Sequence, residues 1–387
     1  MTNSTAMRWQ ALDWLRGLSI IGMLFNLTPG AWEKEYDWMI HAKWEGGNLI
    51  DMVAPAFLFC IGAALPLSLS KRMKAGQSKA VLWRRGLWRA AVLVAVGLFL
   101  NGYPVFDVAH MRFPGVLQKI GLAFALAFSI VLMATRRSAN GEAVFKPQLL
   151  CAAMAFILVS HWALLYFVPV PGFGAPRFDP LGSWPAYIDR GLFTVPHMFI
   201  YWPVNGQVLF DPDGLLNVYT SCANILIGVL AGLAYMSGKV RRPVLTAFAA
   251  GAALMAAALA LSGICPIIKN IHTATFVLFS GGFSLALLGL FTLLADLPKS
   301  DAVLFPLQVY GANPLLAYVT CFLVAPLLDH NWAAPGGAYA SIRSTGQEVL
   351  SRGLDPYAAS FSFGLIYLVI LFLVLRACYR RHWFLKL

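Results

Sequence analysis

Residues 41–74 read HAKWEGGNLIDMVAPAFLFCIGAALPLSLSKRMK. The stretch opens polar, runs from Met52 to Ser70 without a charged residue, and ends on Lys71, Arg72 and Lys74. An apolar run of about 20 residues is what a helix needs to cross a hydrocarbon core of roughly 30 Å. A barrel strand would alternate apolar and polar residues instead. The run predicts a transmembrane helix near 50–70. Comparable runs recur near 12–29, 87–103, 114–134, 148–168, 215–236, 243–262, 272–295, 304–327 and 361–381. The whole chain is 59% hydrophobic and 12% charged, with a mean hydropathy of +0.69. Soluble globules carry roughly twice that share of charge. The expected fold is therefore all-α, a polytopic membrane protein of about ten helices, with residues 1–387 forming one membrane domain.

Charge gives the orientation. With the N-terminus inside and the sides alternating, 20 of the 29 Lys and Arg fall on the inner side, and 13 of the 17 acids fall outside. That asymmetry obeys the positive-inside rule and predicts that both termini are cytoplasmic. The same distribution argues against nucleic acid as the reason for a net charge of +12. The polar start MTNSTAMRWQALDWLRG lacks a small-residue cleavage site, so the first helix is expected to be retained. The six cysteines form no CxxC pair and mostly sit in spans, which suits helix packing. The inner loops are short. Two outer segments, roughly 169–214 and 328–360, are long, and loops of that length in a compact protein are usually functional.

Candidate chemistry concentrates in the first hairpin. MLFNLTPG places Asn26 near the outer end of span one, His41 follows in the loop, and Asp51 lies one turn into span two. An ionisable group at membrane depth is costly and points to function. His41 suits proton abstraction near neutral pH, Asp51 could orient its ring, and Asn26 could donate to an oxyanion. The alternative is a headgroup-level histidine with Asp51 capping span two. Asp13 and Arg16 read as an i,i+3 ion pair. RFPGVLQKIG sets Arg112 before a helix start and puts Gln118 and Lys119 in the first turns of span four; Lys269 and Asn270 end CPIIKN, and Asn313 precedes Pro314. These suggest a polar chamber opening outward. His197 and Asp211, in the long loop, are either structural or acceptor-binding. The histidines show no metal-ligand spacing, so no metal is expected. The basic clusters KRMK and RRGLWR reflect either topology or an anionic cytosolic ligand.

Five blocks, taken in order, resemble the transmembrane heparan-α-glucosaminide N-acetyltransferase family: RWQALDWLRG with Asn26; HAKWEGGNLIDMVAPAFLFCIG; RFPGVLQKIG; AYIDRGLF with a later histidine and then FDPDGLLN; and PIIKNIHTATFVL. The resemblance implies an enzyme that moves acetyl from cytosolic acetyl-CoA to an amino sugar across the membrane. It implies His41 as the active-site histidine, with Asn26 and Asp51 beside it. It implies Arg89 as a coenzyme contact, joined by Arg84 and Arg85 on grounds of charge and by Gln118 and Lys119. His197, Asp211, Lys269, Asn270 and Asn313 become the candidate acceptor contacts. A homodimer in a bacterial inner membrane, acting on a glucosamine-type or cell-wall-derived acceptor, completes the expectation. Three departures bear on the acceptor: Ile268 replaces an asparagine, His272 replaces the usual tryptophan, and LLNVYTSCANILIG lacks the commoner Leu-Ser/Gly-Thr start of span six. O-acetylation of an envelope glycan, and an amino-sugar transporter without chemistry, are the alternatives.

Overall fold

The computed structural model describes residues 9–200, 203, 206–333 and 339–385. Arg8, which opens the first motif, and Lys386 lie outside the described residues. The helices in chain order are α1 (Gln10–Phe25), α2 (Val53–Lys74), α3 (Lys79–Gly102), α4 (Val116–Met133), α5 (Pro147–Phe167), α6 (Trp184–Leu192), α7 (Leu215–Ser237), α8 (Pro243–Leu261), α9 (Ala274–Ala295), α10 (Ser300–Val303), α11 (Phe305–Ala312), α12 (Pro314–Asp329), α13 (Ile342–Ser351) and α14 (Pro356–Arg380). Two three-residue antiparallel hairpins, β1–β2 (Thr135–Arg137 with Ala143–Phe145) and β3–β4 (Asn331–Ala333 with Tyr339–Ser341), close two of the turns. The chain is an all-α polytopic membrane protein.

Each apolar run of the sequence became a helix, but the runs are not equal. Among the described residues, seven helices are long and apolar enough to span a bilayer. The pair α11 and α12, bent by 82° at the break between them, meets the same length and apolarity only when taken together. Pro314 causes the bend, because proline cannot donate to the helix ladder and pushes the residue before it out of helical geometry. α1 has only 16 residues, about 24 Å at 1.5 Å per residue. α3 has 24 residues but spends its first half on Lys79, Arg84, Arg85 and Arg89.

The chain divides into two compact units. The first comprises Met1–His41, Asn48–Phe57 and Leu290–Lys386; the second comprises Ala42–Gly47 and Leu58–Gly289, with Leu387. In the first unit α1 packs against α11, α12 and α14. α1 and α11 cross so closely that a Cβ on Gly17 would stand 1.9 Å from the Leu307 carbonyl oxygen, and one on Gly311 2.3 Å from that of Asp13. Arg16 uses this crossing: its Nε donates to the Gly311 carbonyl at 2.7 Å, and its guanidinium also pairs with Asp13. In the second unit α4 lies between α3 and α7, and α5 packs on α7. Gly62 and Gly228 let α2 and α7 touch backbone to backbone, the small-residue packing on which helix association in lipid relies.

Candidate active site

The first unit builds the hairpin between α1 and α2 from both ends. α1 stops at Phe25 because Pro29 cannot continue it, and Thr28 and Asn26 close the last turn onto the helix. A short helical turn, Leu49–Met52, precedes α2, and in it the Asn48 N–H donates to Asp51 Oδ2 at 2.8 Å. The Asn48 side chain reaches back, donating to the carbonyls of Asp37 at 3.1 Å and Ile40 at 2.7 Å. The turn that presents His41 is therefore fixed by the residue that starts the next helix.

These anchors bring three of the predicted residues together. His41 Nδ1 lies 2.5 Å from Asp51 Oδ1, and His41 Nε2 lies 3.2 Å from Asn26 Nδ2. A carboxylate accepts and an amide nitrogen donates, so the arrangement selects one tautomer. Nδ1 carries the proton toward Asp51, and Nε2 offers a lone pair that Asn26 covers. Asp51 is fully buried, whereas His41 keeps about a fifth of its side chain exposed. A buried carboxylate behind a partly open imidazole is an arrangement that can serve a general base, with Nδ1 held by the acid and Nε2 facing the Asn26 amide.

Two further groups in this unit carried no signal in the sequence. Arg343 on α13 is buried, pairs with Asp329 (Nε–Oδ1 2.5 Å) and donates to the Pro29 carbonyl, so it clamps the end of span one. Glu35 is half-buried, its Oε1 has no hydrogen-bond partner among the described residues, and burial pushes its carboxyl up to about 7. Asn313 follows the α1–α11 crossing, two residues after Gly311, which packs on Asp13 near the start of α1. Its Nδ2 donates to the Trp383 carbonyl at 2.6 Å and its Oδ1 accepts from the Leu385 N–H at 2.9 Å, so both halves of the amide hold the C-terminal segment.

The other predicted residues belong to the second unit. Arg84, Arg85 and Arg89 are exposed along the start of α3, with Arg85 donating to Gln77 at 3.0 Å. Gln118 and Lys119 do not join them. A Cβ on Gly97 would meet Gln118 Oε1 at 2.2 Å, which puts that side chain eight residues, about 12 Å, along α3 from Arg89. Lys119 donates to the Pro212 carbonyl at 3.1 Å and faces Asp213 at 3.6 Å. Both residues line a cavity of about 380 Å³ that is otherwise mainly apolar, with Val94, Leu98, Phe113 and Val218 in its wall.

His197 and Asp211 are bound into the loop itself. His197 Nδ1 donates to the Met111 carbonyl at 2.9 Å, and its ring stacks on Phe113 at 4.0 Å. Asp211 takes Arg112 in bidentate fashion at 2.9 and 2.5 Å, and Arg112 also reaches Asp213 at 3.0 Å. Burial alone would lower the Arg112 pKa, but the two aspartates carry it above its ordinary value. Burial would likewise raise Asp213, yet Lys119, Arg112 and Lys269 hold it below the usual carboxylate range. Asn270 is buried; its Nδ2 donates to the Lys43 carbonyl at 3.4 Å and its carbonyl accepts from Asn217 at 2.8 Å. His272, two residues on, is buried against α7, with Nε2 2.9 Å from Asn224 Oδ1 and 3.3 Å from Ser221 Oγ. Asn217, Ser221 and Asn224 follow one another at i, i+4 and i+7, a single face of α7.

Residues 8–198 match the family described as heparan-alpha-glucosaminide N-acetyltransferase, catalytic. Over that segment, just under half of the 387 residues, the chain is similar to this family. It is 28% identical over 358 residues to the mouse heparan-alpha-glucosaminide N-acetyltransferase, covering 82% of this chain and 53% of the mouse protein. The human protein of the same name is 26% identical over 351 residues, covering 81% of this chain and 52% of its own length. The chain thus spans about half the length of the curated relatives it matches. The matched segment of this transferase family contains Asn26, His41 and Asp51, as well as the α3 arginines and His197.

Proposed function

We propose that the protein is an acetyl-CoA-dependent N-acetyltransferase that acts on an amino sugar presented on the side of the membrane opposite the basic loops. The observation that supports this reading most is the Asp51–His41–Asn26 chain, whose Nε2 lone pair lies 3.2 Å from the Asn26 amide nitrogen. The amine of the acceptor displaces Asn26 from Nε2. As the amine attacks the thioester carbon, a C–N bond forms and His41 takes the amine proton. Asn26 Nδ2, released from the ring, donates to the oxyanion of the tetrahedral intermediate. Collapse breaks the C–S bond, and the proton on His41 passes to the departing thiolate. Asp51 holds the imidazolium throughout. The exposed guanidinium groups of Arg84, Arg85 and Arg89 suit the phosphates of the coenzyme, for which arginine is well matched.

The reading is tested with the full chain in detergent, by following release of free CoA from acetyl-CoA. Glucosamine is expected to stimulate release and N-acetylglucosamine, which has no free amine, to be inert. If only hydroxyl acceptors work, the protein is an O-acetyltransferase; if no acceptor works and acetyl-CoA does not bind, the enzyme reading falls.

Asp51→Asn makes a sharper test. The asparagine can still accept from the Asn48 N–H, but its NH2 would now donate to His41 Nδ1 and move the ring proton to Nε2. With the basic nitrogen occupied, kcat is expected to fall by about 10³–10⁴ while the apparent melting temperature changes little. A loss of less than tenfold would sink the assigned tautomer.

A further inference from the structure

The hairpin that carries His41 also carries a surface the reaction does not use. Residues 31–40 read AWEKEYDWMI, with aromatic residues at 32, 36 and 38 and acids at 33, 35 and 37. Trp32 and Trp38 are each 51% exposed, large areas of indole left open. Tyr36 stacks on Trp38 with planes only 9° apart, and Tyr357 and Phe361, from the start of α14, pack against the same pair at 5.8–6.2 Å. The strip is rigid. Ser360 Oγ donates to the Ala31 carbonyl and accepts from its N–H, both at 3.0 Å, Met39 is buried, and Asn48 holds the Asp37 and Ile40 carbonyls. A preorganised surface of this kind loses little entropy when it binds.

Its charge indicates what it binds. Glu33 and Asp37 are exposed beside the rings, and the protein's own Lys34 ammonium lies 5.5 Å above the Tyr357 ring. The surface therefore already accommodates one amine cation on an aromatic face. The carboxylates beside the rings favour a cation as the occupant. Flat aromatic faces suit the apolar C–H face of a pyranose ring, and carboxylates suit its ammonium group.

We infer that Trp32, Tyr36, Trp38 and Tyr357, with Glu33 and Asp37, form a subsite for a further sugar residue of a cationic amino-sugar oligosaccharide whose terminal amine reaches His41. The inference rests on the acetyltransferase reading for the identity of that amine, so it is tested by binding alone. The full chain in detergent, without acetyl-CoA, is titrated with the unacetylated glucosamine disaccharide and with its N-acetylated counterpart, and Kd is read by saturation-transfer NMR. The amine form is expected to bind about tenfold more tightly than the acetylated form, and Trp38→Ala to lose about tenfold, the scale of one cation–π or stacking contact. Trp38→Phe should retain most of the affinity, and the pair Glu33→Gln and Asp37→Asn should weaken only the amine form. Unchanged affinity in Trp38→Ala and Trp32→Ala would overturn the subsite. So would a lowered melting temperature in bilayers with unchanged sugar affinity, which would make the strip a membrane anchor. If the disaccharide binds as described but no amine is ever acetylated, the acetyltransferase reading fails and the subsite stands; if transfer proceeds and the variants bind as wild type, only the subsite fails.

Discussion

His41→Ala is expected to reduce acetyl transfer to glucosamine by about 10³-fold, within the 10²–10⁴ range of a lost general base. The KM for acetyl-CoA should stay near the wild-type value, because no coenzyme contact is assigned to the imidazole. A structural explanation has to be separated from this one. Removing the ring leaves Asp51 buried with one oxygen still satisfied by the Asn48 N–H, so a stability loss of about 1–3 kcal/mol accompanies the chemical one. His41→Gln separates the two effects. Its amide can donate to Asp51 and keep the hairpin paired, but it has no basic nitrogen. Folding close to wild type with activity as low as in His41→Ala is the expected result. More than a tenth of wild-type turnover in either variant would remove His41 from the reaction.

The geometry behind that prediction was partly legible in the sequence. Asn26, His41 and Asp51 could be read as converging because a proline ends span one and the acid lies one turn into span two; both signals are local. What could not be read was the direction of the chain of hydrogen bonds. Nothing in the residue order says that Asn26 covers Nε2 rather than pointing at an oxyanion, or that Asn48 locks the turn from the other side. Arg343 was invisible for a different reason. It lies more than 300 residues from Pro29, and no periodicity reports a clamp of that sequence separation.

Hydrophobic runs predicted nearly every helix because a bilayer demands length and apolarity together. They could not show that the run 304–327 is two helices bent by 82°, although the Asn313–Pro314 pair marked the place. They also could not show what Asn313 does. A polar residue beside a helix break was read as lining a chamber, yet its amide is taken up at both ends by the C-terminal segment. The same holds for His197, Asp211 and Lys119. The sequence marked them as polar groups in need of partners, and only the fold showed that the partners are Phe113, Arg112, Asp213 and nearby backbone.

That cluster sets the second large effect. Arg112→Ala is expected to destabilise the protein by about 3–5 kcal/mol, because it leaves buried aspartates without their cation. Asp211 would lose both of its guanidinium bonds and keep only the N–H groups of Phe199 at 2.9 Å and Asp213 at 2.8 Å. Asp213 would keep Lys119 at 3.6 Å, so one anion becomes unpaired rather than two. Arg112 also lies 4.5 Å from the Phe199 ring, and the connection it belongs to accepts a hydrogen bond from the His197 ring at the Met111 carbonyl and donates one from the Phe113 N–H to the His197 carbonyl. The loss should therefore loosen the long loop from α4 as well as lower stability, with an apparent Tm reduced by about 10 °C in detergent. Arg112→Ala combined with Asp211→Ala is expected to regain only part of this. The excess anion is gone, but the N–H groups of Phe199 and Asp213 then lose their acceptor. A double variant as unstable as the single one would mean that the guanidinium acts by filling space on Phe199, and a single variant within 1 °C of wild type would mean that the loop is held without the ion cluster.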